Sequence, residues 1–218
     1  MIITWLTQNL KFGGIYMSTS HSFKVLGGWG SVATGVLFIV SHLLNLFGNS
    51  DYGTVLGASL VFSAHLLAVF AFIGLYEVQS EQKNLMSVLG MLFGIIGTII
   101  VCAVVYVEIA GASGVDVSKV FNSNVPTIIK SGSLIFVIGM ILFGISTIRS
   151  NILPRWGGIL LIGGTIVFSL GSFFEGAGLI FSMIGGTLTG AGFIWLGLSL
   201  LISYKSFEAT RNTAGYQR

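Results

Sequence analysis

Long apolar runs separated by short polar stretches set the rhythm of this chain. Six runs lie near the ~20 residues that a helix needs to cross bilayer hydrocarbon. They cover 26–47, 54–75, 85–109, 127–148, 156–174 and 179–204. Each is continuous and does not alternate with period two, which predicts helices and not barrel strands. Turn-forming residues fall between them: Gly48-Asn49-Ser50-Asp51, Asn122-Ser123-Asn124 ahead of Pro126, and Asn151 ahead of Pro154. The link Gly176-Ala177-Gly178 is short, so the last two helices should form a tight hairpin.

The fold expected is an all-α polytopic membrane bundle of six transmembrane helices. Residues 1–25 form an N-terminal cytoplasmic or interfacial segment, 26–204 the transmembrane domain and 205–218 a cytoplasmic tail. In the leader, Ile2, Ile3, Trp5, Leu6 and Leu10 alternate with polar residues, as in a short interfacial helix. The alternative is that Met17 is the natural start. No small-residue cleavage site marks a removable signal peptide.

Charge then orients the bundle. Lys11, Lys24, Lys83, Arg149, Arg155, Lys205, Arg211 and Arg218 fall on one side of a six-span arrangement, and only Lys119 and Lys130 on the other. Basic loops stay in the cytoplasm. Both termini are therefore expected inside.

Composition agrees. Hydrophobic residues make up 54% of the chain and charged residues 8%, against about a quarter charged in soluble domains. Lipid must be the main solvent. The net charge of +3 provides no basic face for nucleic acid. A single cysteine, Cys102, excludes both a disulfide framework within the chain and a Cys-rich metal site.

The 31 glycines carry the next layer of information. Membrane helices use small residues to bring backbones close, so a small-residue stripe marks a face turned toward another helix. Gly28, Ser31, Gly35 and Phe38 lead along one stripe to His42, with Asn45 a turn beyond. Gly90, Gly94 and Gly97 lead to Glu108, and Gly157, Gly164 and Gly171 to Glu175. His42, Glu108 and Glu175 should thus point into the bundle, in its outer half or at its outer rim. Lys130 lies at the same level and His65 near mid-span. Ionisable groups at membrane depth mark sites or pathways, so His42, His65, Glu108, Lys130 and Glu175 are the candidate ligand-binding residues. The competing expectation is a structural network, with Lys130 locking the two carboxylates. The cytoplasmic half holds nothing comparable. Trp29-Gly30 opens the first run as Trp156-Gly157 opens the fifth, and Tyr76 closes the second as Tyr204 closes the sixth. That is the pattern of a parallel duplication.

Specific catalytic chemistry is missing. Two histidines at unequal depth fit a bis-His haem poorly, and no HExxH spacing supports a metal site built from His42, Glu108 and Glu175. Neither a Gly-x-Ser-x-Gly elbow nor a phosphate-binding loop occurs. No cofactor is expected, and no enzyme is indicated.

The segments Gly74-Leu75-Tyr76 and Leu153-Pro154-Arg155-Trp156-Gly157-Gly158 resemble small bacterial multi-span membrane proteins of unassigned function. The resemblance implies a bacterial inner membrane and carries no catalytic residue. The leading expectation is an outward-facing polar pocket that binds or passes a small ligand or ion, as in transport. The alternatives are an accessory or protective subunit packing against a membrane-protein partner or a second copy, and a metal-dependent membrane enzyme.

Overall fold

The computed structural model describes residues 19–48, 52–79, 85–122, 127–171 and 177–215. Among them are seven helices and no strand. These are α1 (Thr19–Asn45), α2 (Val55–Gln79), α3 (Leu85–Ala112), α4 (Ser118–Asn122), α5 (Thr127–Ser150), α6 (Arg155–Leu170) and α7 (Gly178–Gly215). Within α1, α2, α3, α5 and α7 lie five apolar stretches long enough to cross a membrane. The sixth apolar helix, α6, has 16 residues. At ~1.5 Å per residue it falls short of a ~30 Å hydrocarbon core. The fifth run was expected to continue to 174, and residues 172–176 lie outside the described ones. Two further departures concern the polar segments. The short helix α4 has no counterpart in the apolar pattern, and α7 runs on helically to Gly215, through most of the expected tail.

Glycines set how the long helices meet. A Cβ on Gly27 would fall on the backbone of Gly74, which brings α1 and α2 into backbone contact. Gly94 receives the Phe72 ring, joining α3 to α2, while Gly90 and Gly97 lie against the backbone of Phe143 and Phe136 on α5. Gly158 touches Thr147 and Ile148, Gly157 lies on Leu196, and Gly35 meets Gly190. Followed in order, these contacts trace α1–α2–α3–α5–α6–α7 and return to α1. Neighbours run antiparallel throughout. The product is a closed ring of six helices, with one end carrying Asn45 and the other Gln79. The stripes on α1 and α6 both face α7, and that on α3 lies between α2 and α5.

The ends of the helices are finished by local chemistry. Thr54 caps α2 by accepting from the Gly57 N–H at 2.9 Å, and the Asn45 side chain accepts from the Thr54 N–H at 3.1 Å. Gly114, at φ +91°, ends α3 in a left-handed turn. Its N–H bonds the Gly111 carbonyl and the Val115 N–H reaches back to Ala110. Asp116 accepts from the Ser118 N–H at 3.0 Å ahead of α4, and Ser118 holds its carboxyl below the usual carboxylate range. Before α6, Asn151 takes a left-handed conformation and accepts from the Arg155 guanidinium at 2.8 Å, while Leu153 is buried in the core. Trp29 and Trp156 each stand 62% exposed on the outside of the ring.

A plug of large side chains fills the middle of the ring. Phe72, Phe143, Phe193 and Met140 are fully buried. Phe72 meets Phe143 at 5.4 Å and Phe193 at 6.0 Å between ring centroids, both edge-on, the geometry that aromatic quadrupoles favour.

Candidate functional site

On the Asn45 side of this plug the ring encloses a cavity of about 680 Å³ to which all six long helices contribute. Its floor is Phe38 and Phe136. His65 stands between them, edge-on to each at 5.1 Å between centroids. Its Nδ1 lies 3.4 Å from the Thr98 hydroxyl. His65 is 5% exposed and His42 7%.

His42 lies nearer the rim. The register set by Gly27 against Gly74 and Asn45 against Gly57 puts it roughly 9 Å above His65, at ~1.5 Å per residue. Its ring stacks over Phe38 at 6.1 Å and meets Phe168 edge-on at 5.5 Å. Its other edge lies on Gly186, where any side chain would strike it. Among the described residues no hydrogen bond engages the His42 ring. The same holds for Glu108, half-buried in the cavity wall at about the level of Asn45. Asn45 and the hydroxyl residues Ser133, Thr165, Ser169, Ser182 and Thr189 also line the cavity, and Tyr52 packs on Gly111 at the mouth.

Of the five residues singled out in the sequence, His42, His65 and Glu108 line this one cavity. Lys130 belongs to the first turn of α5, whose register against α3 sets its backbone nearer the level of His42 than of Glu108. Its side chain lies outside the described residues. So does Glu175 altogether, and with it the proposed pairing of the two carboxylates. Among the described residues no three His, Cys, Asp or Glu side chains converge as metal ligands. Phe38 sits between the two histidines.

The opposite end of the ring holds what the sequence pattern missed. Gln79 is 1% exposed. Its amide nitrogen donates to the Thr147 hydroxyl at 3.1 Å, and its carbonyl accepts from the Ser146 hydroxyl at 3.0 Å. Thr147 in turn donates to the Phe143 carbonyl at 2.9 Å, and Ser150 donates to the Thr147 carbonyl at 3.1 Å. Among the described residues this is a buried network of uncharged side chains whose hydrogen bonds join α2 to α5. The only hint in the sequence was a glutamine within α2 facing a Ser146-Thr147 pair on another helix.

No family model, curated protein or solved structure matches the chain.

Proposed function

We propose that this chain is a six-span membrane protein, with both ends in the cytoplasm, whose outward-facing cavity binds or passes a small ligand or ion. The observation that carries this reading is the enclosure of His42, His65 and Glu108 in one cavity of about 680 Å³. That volume lies within the 300–1,000 Å³ typical of small-molecule sites. Two of its polar side chains, His42 and Glu108, make no hydrogen bond among the described residues. Their polar atoms face the cavity, where a bound partner can take the hydrogen bonds that water would otherwise make.

Support for a sixth span comes from α6, which is apolar and packs antiparallel between α5 and α7. A helix wedged into the ring has no room to lie flat on a membrane surface. Support for the orientation comes from charge: Lys24, Arg149 and Arg155 gather at the Gln79 end. The Asn45 end then faces out.

Two measurements test the proposal. Reporter fusions after Asn49, Ser123 and Gly178 should read outside, and those after Lys83 and Ser150 inside. A cytoplasmic signal at Ser123 would break the six-span topology. Thermal melts of the purified protein in lipid nanodiscs, against inorganic cations, amines and small alcohols, should find one class that stabilises it. At a hundredfold excess over Kd the gain is about 2.7 kcal/mol. Glu108→Gln should lose that response while its own melting point stays near the parent's. A parent protein indifferent to every class would overturn the reading.

A further inference from the structure

At the cavity floor one hydrogen bond sets which atom faces a ligand. His65 on α2 and Thr98 on α3 meet Nδ1 to hydroxyl at 3.4 Å, and Thr98 is fully buried. This is the hydrogen bond that the Thr98 hydroxyl makes among the described residues. A hydroxyl has one proton to give as well as lone pairs to offer. Were Nδ1 to donate, the Thr98 proton would be buried without an acceptor, the costlier arrangement. Thr98 therefore donates, Nδ1 accepts, and the proton of the neutral imidazole sits on Nε2. Among the described residues the sealed side-chain polar atom without a hydrogen bond is Thr187 Oγ1. Nε2 of His65 also has no partner among them, so it keeps an open side, and it opens to the cavity that His65 lines. Phe38 and Phe136, both edge-on at 5.1 Å, hold the ring in place.

We infer that Thr98 fixes His65 as the Nε2–H tautomer, so that the floor donates one hydrogen bond to an uncharged carbonyl oxygen at the inner end of an apolar ligand. The inference rests on the cavity being a binding site and goes further by naming the ligand class and a positioning residue. A carbonyl oxygen accepts and has no proton to place, which suits a floor made of one N–H and two aromatic rings. An anion would accept as well. The imidazole is uncharged, however, and Phe38, Phe136 and Val101 around it cannot offset the loss of water from a charge. Val61, Val101 and Val105 continue the wall above the floor with apolar surface. Glu108 follows Thr98 by ten residues on α3 and so stands roughly 15 Å higher. An extended ligand seated on His65 brings a hydroxyl or amine at its outer end to that level.

The test uses the whole chain in lipid nanodiscs and two probes that differ in one group. Decanol has a hydroxyl head and a hydrocarbon tail, and hydroxydecanone has the same head and chain with a ketone near the far end. Each is dosed to the same bilayer concentration, set from its partition into empty discs, and affinity is read from the rise in melting point. The parent should bind the ketone about tenfold more tightly, the upper end for one neutral hydrogen bond. His65→Phe should abolish that preference while decanol still binds, and His65→Leu serves equally if the first variant does not fold. Nitrogen NMR of histidine-labelled protein should show Nε2 protonated and Nδ1 bare, with the His65 signals assigned by their loss in the variant. Thr98→Val should mix the two tautomers and weaken the ketone preference without changing the affinity for decanol, a selectivity that a merely structural threonine would not have. A protonated Nδ1 in the parent, equal affinity for the two probes, or a ketone preference that survives at His65→Phe and His65→Leu overturns the inference, while decanol binding leaves the cavity a site. A parent that binds neither probe but is stabilised by a cation or an amine overturns the inference alone. A parent indifferent to every class refutes the binding site, and the inference falls with it.

Discussion

At the Gln79 end, a fully buried amide gives and takes hydrogen bonds with Thr147 and Ser146, and Thr147 and Ser150 in turn satisfy backbone carbonyls. At the Asn45 end, His42 and Glu108 face a cavity of about 680 Å³, and neither is hydrogen-bonded among the described residues. Between the two lies the aromatic plug of Phe72, Phe143 and Phe193. Both ends bury polar groups in a low-dielectric bundle, where such groups must be paired or hydrated. One end meets that demand within the protein, and at the other the polar groups are turned to the cavity. The contrast separates the two ends more sharply than residue type does. A histidine or a glutamate draws the eye, but an unmet hydrogen bond is what a ligand can use.

The largest test of this division lies at its boundary. Phe72→Ala should cost about 3 kcal/mol, the low end of the range for such truncations. Lipid is as apolar as the plug, so the loss reflects broken packing more than lost hydrophobic burial. Reversible unfolding in mixed micelles would measure it. A change near zero would mean that the plug does not hold the ends apart.

Next comes the satisfied network. Gln79→Ala takes the acceptor from the Ser146 hydroxyl, while Thr147 keeps its bond to the Phe143 carbonyl, and should cost about 1–3 kcal/mol. In a double-mutant cycle with Ser146→Ala, the second substitution should cost less than it does alone, as it does for residues in one network. Additive losses would show that the hydrogen bonds are incidental.

Smaller effects are expected at the open end. Glu108→Gln keeps the size of a half-buried side chain and removes no hydrogen bond among the described residues, so it should shift stability by about 0.5 kcal/mol or less. Losses as large as that of Gln79→Ala would turn the open end into a second structural lock.

The smallest contrast concerns the glycines. Gly163 has open space where a side chain would go, whereas a Cβ on Gly164 would meet the backbone of Thr189 on α7. Gly163→Ala should be neutral or slightly stabilising, since alanine exceeds glycine in helix preference by up to ~1 kcal/mol. Gly164→Ala should lower the melting point. Equal behaviour would show that the α6–α7 contact is looser than drawn.

Part of the candidate site was legible because each small-residue stripe carries its own direction. On α1 the stripe Gly28, Ser31, Gly35 faces α7, and the same face continues to His42 against Gly186. The stripe before Glu108 shows the same logic, in that a helix face bearing no bulk must be turned toward another helix. Thr165, Ser169, Ser182 and Thr189 were not legible, because hydroxyl residues are ordinary small packing groups in membrane helices. Gln79 was missed for a different reason: an amide near a helix end looks interfacial until its partners, 67 and 68 residues away, are seen beside it.

The sequence by itself determined that this chain is helical and belongs in lipid. It holds too few charges to clothe a water-facing surface, and its apolar runs are continuous and long. It also determined which face of each striped helix turns inward, since that depends only on spacing along one helix. Tertiary structure decided the rest. It closed α7 onto α1, stopped the described part of α6 at Leu170, and gathered residues of all six apolar helices around one cavity. The physical reason is one of range. Periodicity records a helix's own inward face but not its partner. Whether a seam closes depends on side chains from two helices filling the same space, and that is a property of the pair.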